Sequence, residues 1–335
     1  MRDEVAELAR RFSYGPQEFT SSPLYRQLCA TAAGEPSILA WLTERRPGVQ
    51  PTNLLMAAIH HSLLQDPGHE LAQWFGSVTT GPLRPAETAA APFLDFCRSR
   101  EGELRATIRR RLVQTNVPKR TVALRLGLAA VAERIGEPIT LVEIGASAGV
   151  LLRYDEYGYR IGDRRWGRAD SPVQIDTEWR AAGPVPDLDR LPEVTRPIGI
   201  DLHPVDVSDP AERAWLRALV WPENSHQARL LTGALDVVAA HPVPIHAGDG
   251  ATCLPEILDG VPAGSPVVVF HAATLAHVPA PDRPAFTAAI EAVGATHELF
   301  HLSLEGFTGS RWKAAFALHL THGARTREPL ATLDG

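Results

Sequence analysis

From residue 1 to about 136 the apolar positions recur at helical spacing, as in Ile38, Leu39 and Leu42 and again in Leu54, Leu55, Ala58 and Ile59. Breaks fall at Pro23, Pro36, Pro47-Gly48, Pro67-Gly68 and Gly81-Pro82, so residues 1–136 are expected to form an α-helical N-terminal domain. One helix in it, about 102–114, carries Arg105, Arg109, Arg110 and Arg111. It reads as a solvated face, because the aromatic residues that a nucleic-acid surface interleaves with its basic ones are missing.

At Ile139 the pattern changes. Residues 139–144 are a near-continuous, β-branched apolar run that ends in a glycine-rich turn, the mark of a buried parallel strand. Further strands are expected at 197–202, 244–247, 266–271, 298–304 and 314–320, with helices at 211–220, 227–240 and 283–293. This alternation predicts an α/β domain over 137–335, a parallel sheet with helices on both faces. Between Gly149 and Asp201 lies an insert, about 154–180, containing Tyr154, Tyr157, Tyr159, Trp166 and Trp179. Residues 157–166 read as a hairpin with Gly162-Asp163 at its turn. With a short helix after Gly149 the hairpin stays near the strand carboxyl ends, where Tyr154 and Tyr157 would roof a site for an apolar or aromatic substrate; with a long one it only packs.

Composition narrows the classes. With 335 residues, 44% hydrophobic and 21% charged, the chain is neither disordered nor a disulfide scaffold, and no run approaches the roughly 18 apolar residues of a membrane span. The charged N-terminus lacks a secretory h-region, so a cytoplasmic location is expected. Cys29, Cys97 and Cys253 form no CxxC pair and are expected to be reduced. A net charge of -6 offers nucleic acid and anionic lipid no general attraction, which leaves a small molecule as the expected partner. Oligomeric state leaves no mark in the pattern.

The chemistry concentrates in Glu143-Ile144-Gly145-Ala146-Ser147-Ala148-Gly149. Glu143, Gly145 and Gly149 match the acidic-x-Gly-x-Gly-x-Gly turn of class I methyltransferases, in which small residues such as Ala146 let backbone approach S-adenosylmethionine. Ser147 stands where a glycine is usual. The dinucleotide pattern GxGxxG fits worse, since Ser147 and Val150 occupy two of its glycine positions. The same residues spell the GxSxG elbow of α/β-hydrolases, with Ser147 as nucleophile, but such an elbow follows several strands and here everything upstream reads helical. A turn kept small for packing alone is the third reading.

Ligands of open α/β sheets lie at the carboxyl ends of the strands, so Asp201 and Leu202 after the second strand are expected at a ribose, and Asp249 and Gly250 after the third at an adenine. Either aspartate also suits a helix N-cap or a turn. His271 and His277 are candidate general bases, against the alternative of a buried histidine bonded to backbone. His203 and Asp206 with His271 have the residue types of a two-histidine, one-carboxylate metal site, but they lie in turns of unknown direction and no metal is expected. Trp221 is expected either to wall a cofactor pocket or to end a helix, Asn116 to face a cleft between domains, and Glu305 to reach the substrate side.

The glycine turn, the tyrosines after it, Asp201-Leu-His-Pro-Val-Asp206, Val220-Trp-Pro222, the strand ending at His271 and Leu304-Glu-Gly306 together resemble the actinobacterial family catalogued as domain of unknown function 2332, over nearly the whole chain. The resemblance implies a class I methyltransferase-like Rossmann domain behind a helical one and supplies no substrate. The expected function is S-adenosylmethionine-dependent O- or N-methylation of a small molecule aided by a histidine base. The alternatives are an esterase using Ser147 and a cofactor-binding protein without turnover.

Overall fold

The prolines that interrupt the first third of the chain open helices rather than break them. In the computed structural model, which describes residues 2–19, 21–180, 187–307, 315–322 and 327–334, Pro23, Pro36 and Pro51 each stand in the first turn, where a missing N–H costs nothing. The helices so formed are α1 (Arg2–Glu18), α2 (Pro23–Ala33), α3 (Pro36–Trp41), α4 (Pro51–Gln65), α5 (Ala90–Ser99), α6 (Glu101–Arg110) and α7 (Thr121–Ala132). There follow β1 (Ile139–Ile144), β2 (Gly158–Ile161), β3 (Arg164–Gly167), β4 (Gln174–Thr177), β5 (Val194–Asp201), α8 (Pro210–Ala218), α9 (Ser225–Ala240), β6 (Ile245–Ala247) and α10 (Gly250–Leu258). The chain continues through β7 (Pro266–Ala272), α11 (Arg283–Ala292), β8 (Glu298–Phe307), β9 (Ala315–His322) and β10 (Glu328–Asp334).

These elements sort into two units, residues 1–115 with 209–229, and 116–208 with 230–335. The single boundary read at 136/137 is replaced by three crossings, because helical periodicity does not say which core a helix joins. In the helical unit Phe12, Phe19, Leu28, Leu54, Phe75, Phe93 and Phe96 are fully buried together with Trp215 of α8. Trp215 Nε1 donates to Leu112 O (2.8 Å), and Glu223 accepts from Ser22 Oγ (2.8 Å) and Leu24 N (3.2 Å). The basic helix ends at Arg110, not 114, and its Arg105 and Arg109 both pair with Glu44. That face is an ion-pair network.

His60, buried on α4, supplies a test of this unit. Its Nδ1 lies 2.9 Å from Ala218 O and its Nε2 2.6 Å from Ser77 Oγ, so Nδ1 carries the proton and Nε2 accepts. Burial holds its pKa down at about 4. The stability this neutral ring contributes is complete above the ordinary value of 6.5 and is lost as pH falls toward 4. Urea midpoints of His60→Gln are expected to fall less steeply over that range than those of the wild type; equal slopes would contradict the assignment.

The other unit is built on a seven-stranded sheet of order β10-β9-β8-β7-β1-β5-β6. The run β8-β7-β1-β5-β6 is parallel, while β9 is antiparallel to β8 and β10 to β9, so the expected parallel sheet ends in a meander whose last strand the sequence pattern did not signal. Residue 314 of the expected strand 314–320 lies outside the described residues. On one face Val142, Ile144, Ile198, Ile200, Val267 and Val269 pack with Leu254 and Ile257 of α10 and Phe286 and Ile290 of α11. Val269 is level with His301, so Leu302 points the other way. There it meets α7 at Gly127, where a Cβ would stand 2.6 Å from Leu302 Cδ1. The chain thus runs from β1 outward to β5 and β6, then returns to β7 and β8 on the opposite side. Between β1 and β7 the strand order reverses, the place where open α/β sheets hold ligands.

The helix after Gly149 shrinks to one 3₁₀ segment, Leu151–Glu156, and the insert forms a separate sheet of order β3-β2-β4. Its aromatic residues turn inward. Tyr154 and Tyr157 are buried, Tyr157 Oη donates to Val150 O (2.7 Å), Tyr159 Oη to Tyr154 O (2.7 Å), and the Arg125 guanidinium lies 4.7 Å from the centre of the Tyr159 ring. The expectation that Tyr154 and Tyr157 roof a substrate site is corrected: both hold the insert to itself and to the end of the glycine turn. Among the described residues no helix is long and apolar enough to cross a membrane.

Candidate functional site

The turn after β1 is tightly wound. Gly145 (φ +82°), Ser147 (+51°) and Gly149 (+74°) all adopt left-handed backbone, which a residue with a Cβ resists. Gly145 has a second reason to be glycine, since a Cβ there would stand 2.5 Å from Thr274 Oγ1, which donates to Ile144 O (3.0 Å). The loop after β7 is thereby seated against the end of β1.

Asp201 closes β5 and ties the turn down. Its Oδ2 accepts from Ser147 N and its Oδ1 from His203 N, both at 2.8 Å. Gly145 N and Ala146 N donate to Ile200 O (2.8 and 3.1 Å). Asn116 Nδ2 donates to Ser147 Oγ (3.0 Å) and its Oδ1 accepts from Ala148 N (3.4 Å). Asn116 is therefore a buried scaffold of the turn within the sheet unit, not the substrate contact it was expected to be. Leu202, beside Asp201, is 63% exposed, an apolar surface next to a carboxylate. Asp249 accepts from Ala251 N (2.8 Å) as the N-cap of α10, and Gly250 is buried against Ile144.

Across the sheet, Glu305 organises the ends of β7 and β8. Thr274 N and Leu275 N donate to its two oxygens (3.0 and 3.3 Å), and His271 Nδ1 lies 2.6 Å from Oε1. A carboxylate only accepts, so the His271 proton sits on Nδ1 and Nε2 accepts from His301 Nε2–H (2.9 Å). Burial, His271 and Arg327 push His301 down to about 3, which keeps it neutral. His271, 1% exposed, has both ring nitrogens engaged, so its assignment as general base is corrected: it positions Glu305. His277 is the exposed histidine of the same loop. Desolvation lowers its pKa most, Arg120 lowers it further, and Glu305 and Asp201 oppose them.

Two charges complete the group. Glu143 is 2% exposed, and its Oε2 is buried without a hydrogen-bond partner. Burial first, then Asp201, push its carboxyl up to about 8, with Arg120 opposing. Arg120 lies 5.2 Å from the centre of the Phe316 ring; burial lowers its pKa against the pull of Glu305 and Glu143. Sequence reasoning missed Arg120, Thr274 and His301, because nothing in Pro118-Lys119-Arg120 or in an alternating strand distinguishes a site residue from a surface one. Trp221 belongs to the other unit, half-buried against its core with its ring 5.3 Å from that of Phe19, instead of forming a cofactor wall. Among the described residues no group of three or more His, Cys, Asp or Glu is arranged to hold a metal ion.

A family model described as "Uncharacterized protein conserved in bacteria (DUF2332)" matches residues 7–335, almost the entire chain. The chain belongs to the DUF2332 family. The match runs from the helical unit through β10, so the residues of the site above all lie within it. No curated protein matches the chain.

Proposed function

We propose that the protein binds S-adenosylmethionine at the carboxyl ends of β1, β5 and β6 and methylates a small molecule there, on a sheet of the class I methyltransferase type. The observation that carries this reading is the left-handed turn Gly145–Gly149, held by Asp201 at the point where the strand order reverses. The residues present fit the group. Asp201 sets a carboxylate at the end of β5 for a ribose diol, Leu202 offers an apolar face beside it, Asp249 stands next for an adenine amino group, and the unpartnered Oε2 of Glu143 lies at the foot of the turn. Bound, the cofactor supplies an already activated methyl group, so the chain has to align an acceptor and take its proton. His277 suits that task, since its lowered pKa leaves the ring neutral at pH 7 with a nitrogen lone pair for the acceptor's proton.

Calorimetry with S-adenosylmethionine and S-adenosylhomocysteine tests the reading. Asp201→Ala is expected to weaken binding by about 1–3 kcal/mol, the loss of a charged acceptor from a buried diol. Unchanged affinity would remove Asp201 from the site, and a wild type that binds neither compound would overturn the proposal. Binding without methyl transfer to any acceptor would instead favour a non-catalytic member of the fold.

One observation favours the esterase reading: Ser147 is a non-glycine residue at positive φ, as a nucleophile elbow requires. Against it, Ser147 Oγ accepts from Asn116, and among the described residues no histidine is bonded to it. Esterase activity that disappears in Ser147→Ala would reverse the preference.

A further inference from the structure

Arg120 occupies an unusual position for an arginine. The side chain is half-buried, its guanidinium lies 5.2 Å from the centre of the Phe316 ring, and both Glu143 and Glu305 act on it electrostatically. Yet among the described residues no carboxylate lies within ion-pair distance and no acceptor within hydrogen-bond distance of it, whereas Arg105, Arg109, Arg111 and Arg125 all have acidic partners. Neither neighbouring acid consumes its charge. Glu305 is already bonded to Thr274 N, Leu275 N and His271 Nδ1, three donors on one carboxylate. Glu143 is pushed toward its protonated form at neutral pH, and its buried Oε2 is itself without a partner. A planar fork of donors, set over the ring of Phe316 opposite Gly306 of β8, and an unsatisfied carboxyl near the end of β1 thus act on one another electrostatically, and the charge of Arg120 is also felt by His277. A guanidinium in such a place is matched by a planar anion that it can grip with two parallel bonds.

We propose that Arg120 is a docking residue for a carboxylate carried by a small-molecule ligand of this site. The chemistry is that of a monocarboxylate, because Glu305 and Asp201 nearby disfavour a more highly charged group such as a phosphate dianion. Two ligands carry such a group: S-adenosylmethionine, at its amino-acid end, and an acidic methyl acceptor. Only the first depends on the cofactor reading above.

The experiment compares two pairs of probes by calorimetry, S-adenosylhomocysteine against its decarboxylated analogue, and benzoate against benzamide, on wild type, Arg120→Gln and Arg120→Lys. The wild type is expected to prefer the carboxylate member of one pair by about ten- to a hundredfold, as loss of a charge-assisted contact dictates. Arg120→Gln should erase that preference while binding the neutral member as before. Arg120→Lys, which keeps the charge but not the fork, should retain a fraction of it and stands in if the glutamine variant does not fold. Preference within the first pair assigns the carboxylate to the cofactor; preference within the second assigns it to the acceptor, and holds even for a protein that binds no S-adenosylhomocysteine. Absence of preference in both pairs, or a preference that survives in Arg120→Gln, overturns the proposal.

Discussion

Glu143→Gln will be more stable than the wild type in mildly alkaline solution, although it removes a carboxylate. The folded protein holds the Glu143 proton up to a pH of about 8, against an ordinary value of 4.5. Between those limits the native state binds a proton that the unfolded chain has released, so wild-type stability declines as pH rises, by about 1.4 kcal/mol per unit where the difference is complete. Glutamine stays neutral throughout and escapes this loss. Unfolding free energies from urea titrations should agree to within about 1 kcal/mol near pH 5 and separate by roughly 2–4 kcal/mol in favour of the variant at pH 8. His60, His277 and His301, whose lowered pKa values act in the opposite direction as acid is added, are shared by both proteins and cancel from the difference. Parallel curves would show that the Glu143 carboxyl is charged in the native state and that the site is wetter than its burial implies.

Substitutions at Gly145 should be the most damaging in the turn. Alanine there pays for left-handed backbone, about 1–3 kcal/mol, and its Cβ meets Thr274 Oγ1. Gly145→Ala/Thr274→Ala relieves the clash but not the backbone strain, so it should recover only part of the loss, and the recovery measures how firmly the two loops are seated together. Gly145→Val adds β-branching, which left-handed backbone resists most, and is expected to abolish S-adenosylmethionine binding while the far-ultraviolet signal of the helical unit persists. Wild-type affinity in that variant would mean that the turn exists for packing alone.

The strands and the turn were legible because a buried parallel strand leaves an uninterrupted apolar run, and β1 and β7 are buried at every position. Asp201 could be placed at the end of its strand for the same reason, since an apolar run that stops is easy to find. Side-chain direction was not legible. His271 lies one residue before the end of its strand, close to where it was expected, but the partners that turn it from a base into a support, Glu305 and His301, lie on β8, and no spacing within β7 announces them. Arg120 was hidden by composition, one arginine in a chain whose positive charge is nearly all arginine. The aromatic insert misled through its residue types: tyrosines that look fit to hold a ligand spend their hydroxyls on nearby carbonyls.

The helical unit is closed by a segment made about a hundred residues after the rest of it, with Trp215 in its core and Trp221 against Phe19. During synthesis α1 to α6 leave the ribosome well before that segment exists, so their apolar surface stays open while β1 and β5 are being made. This half of the molecule cannot fold in the order in which it is written. A fragment cut at Thr115 should accordingly be a poor folder that recovers when a peptide covering 209–229 is supplied in trans. Expression hosts rich in chaperones that hold nascent helices should raise the yield of the intact chain.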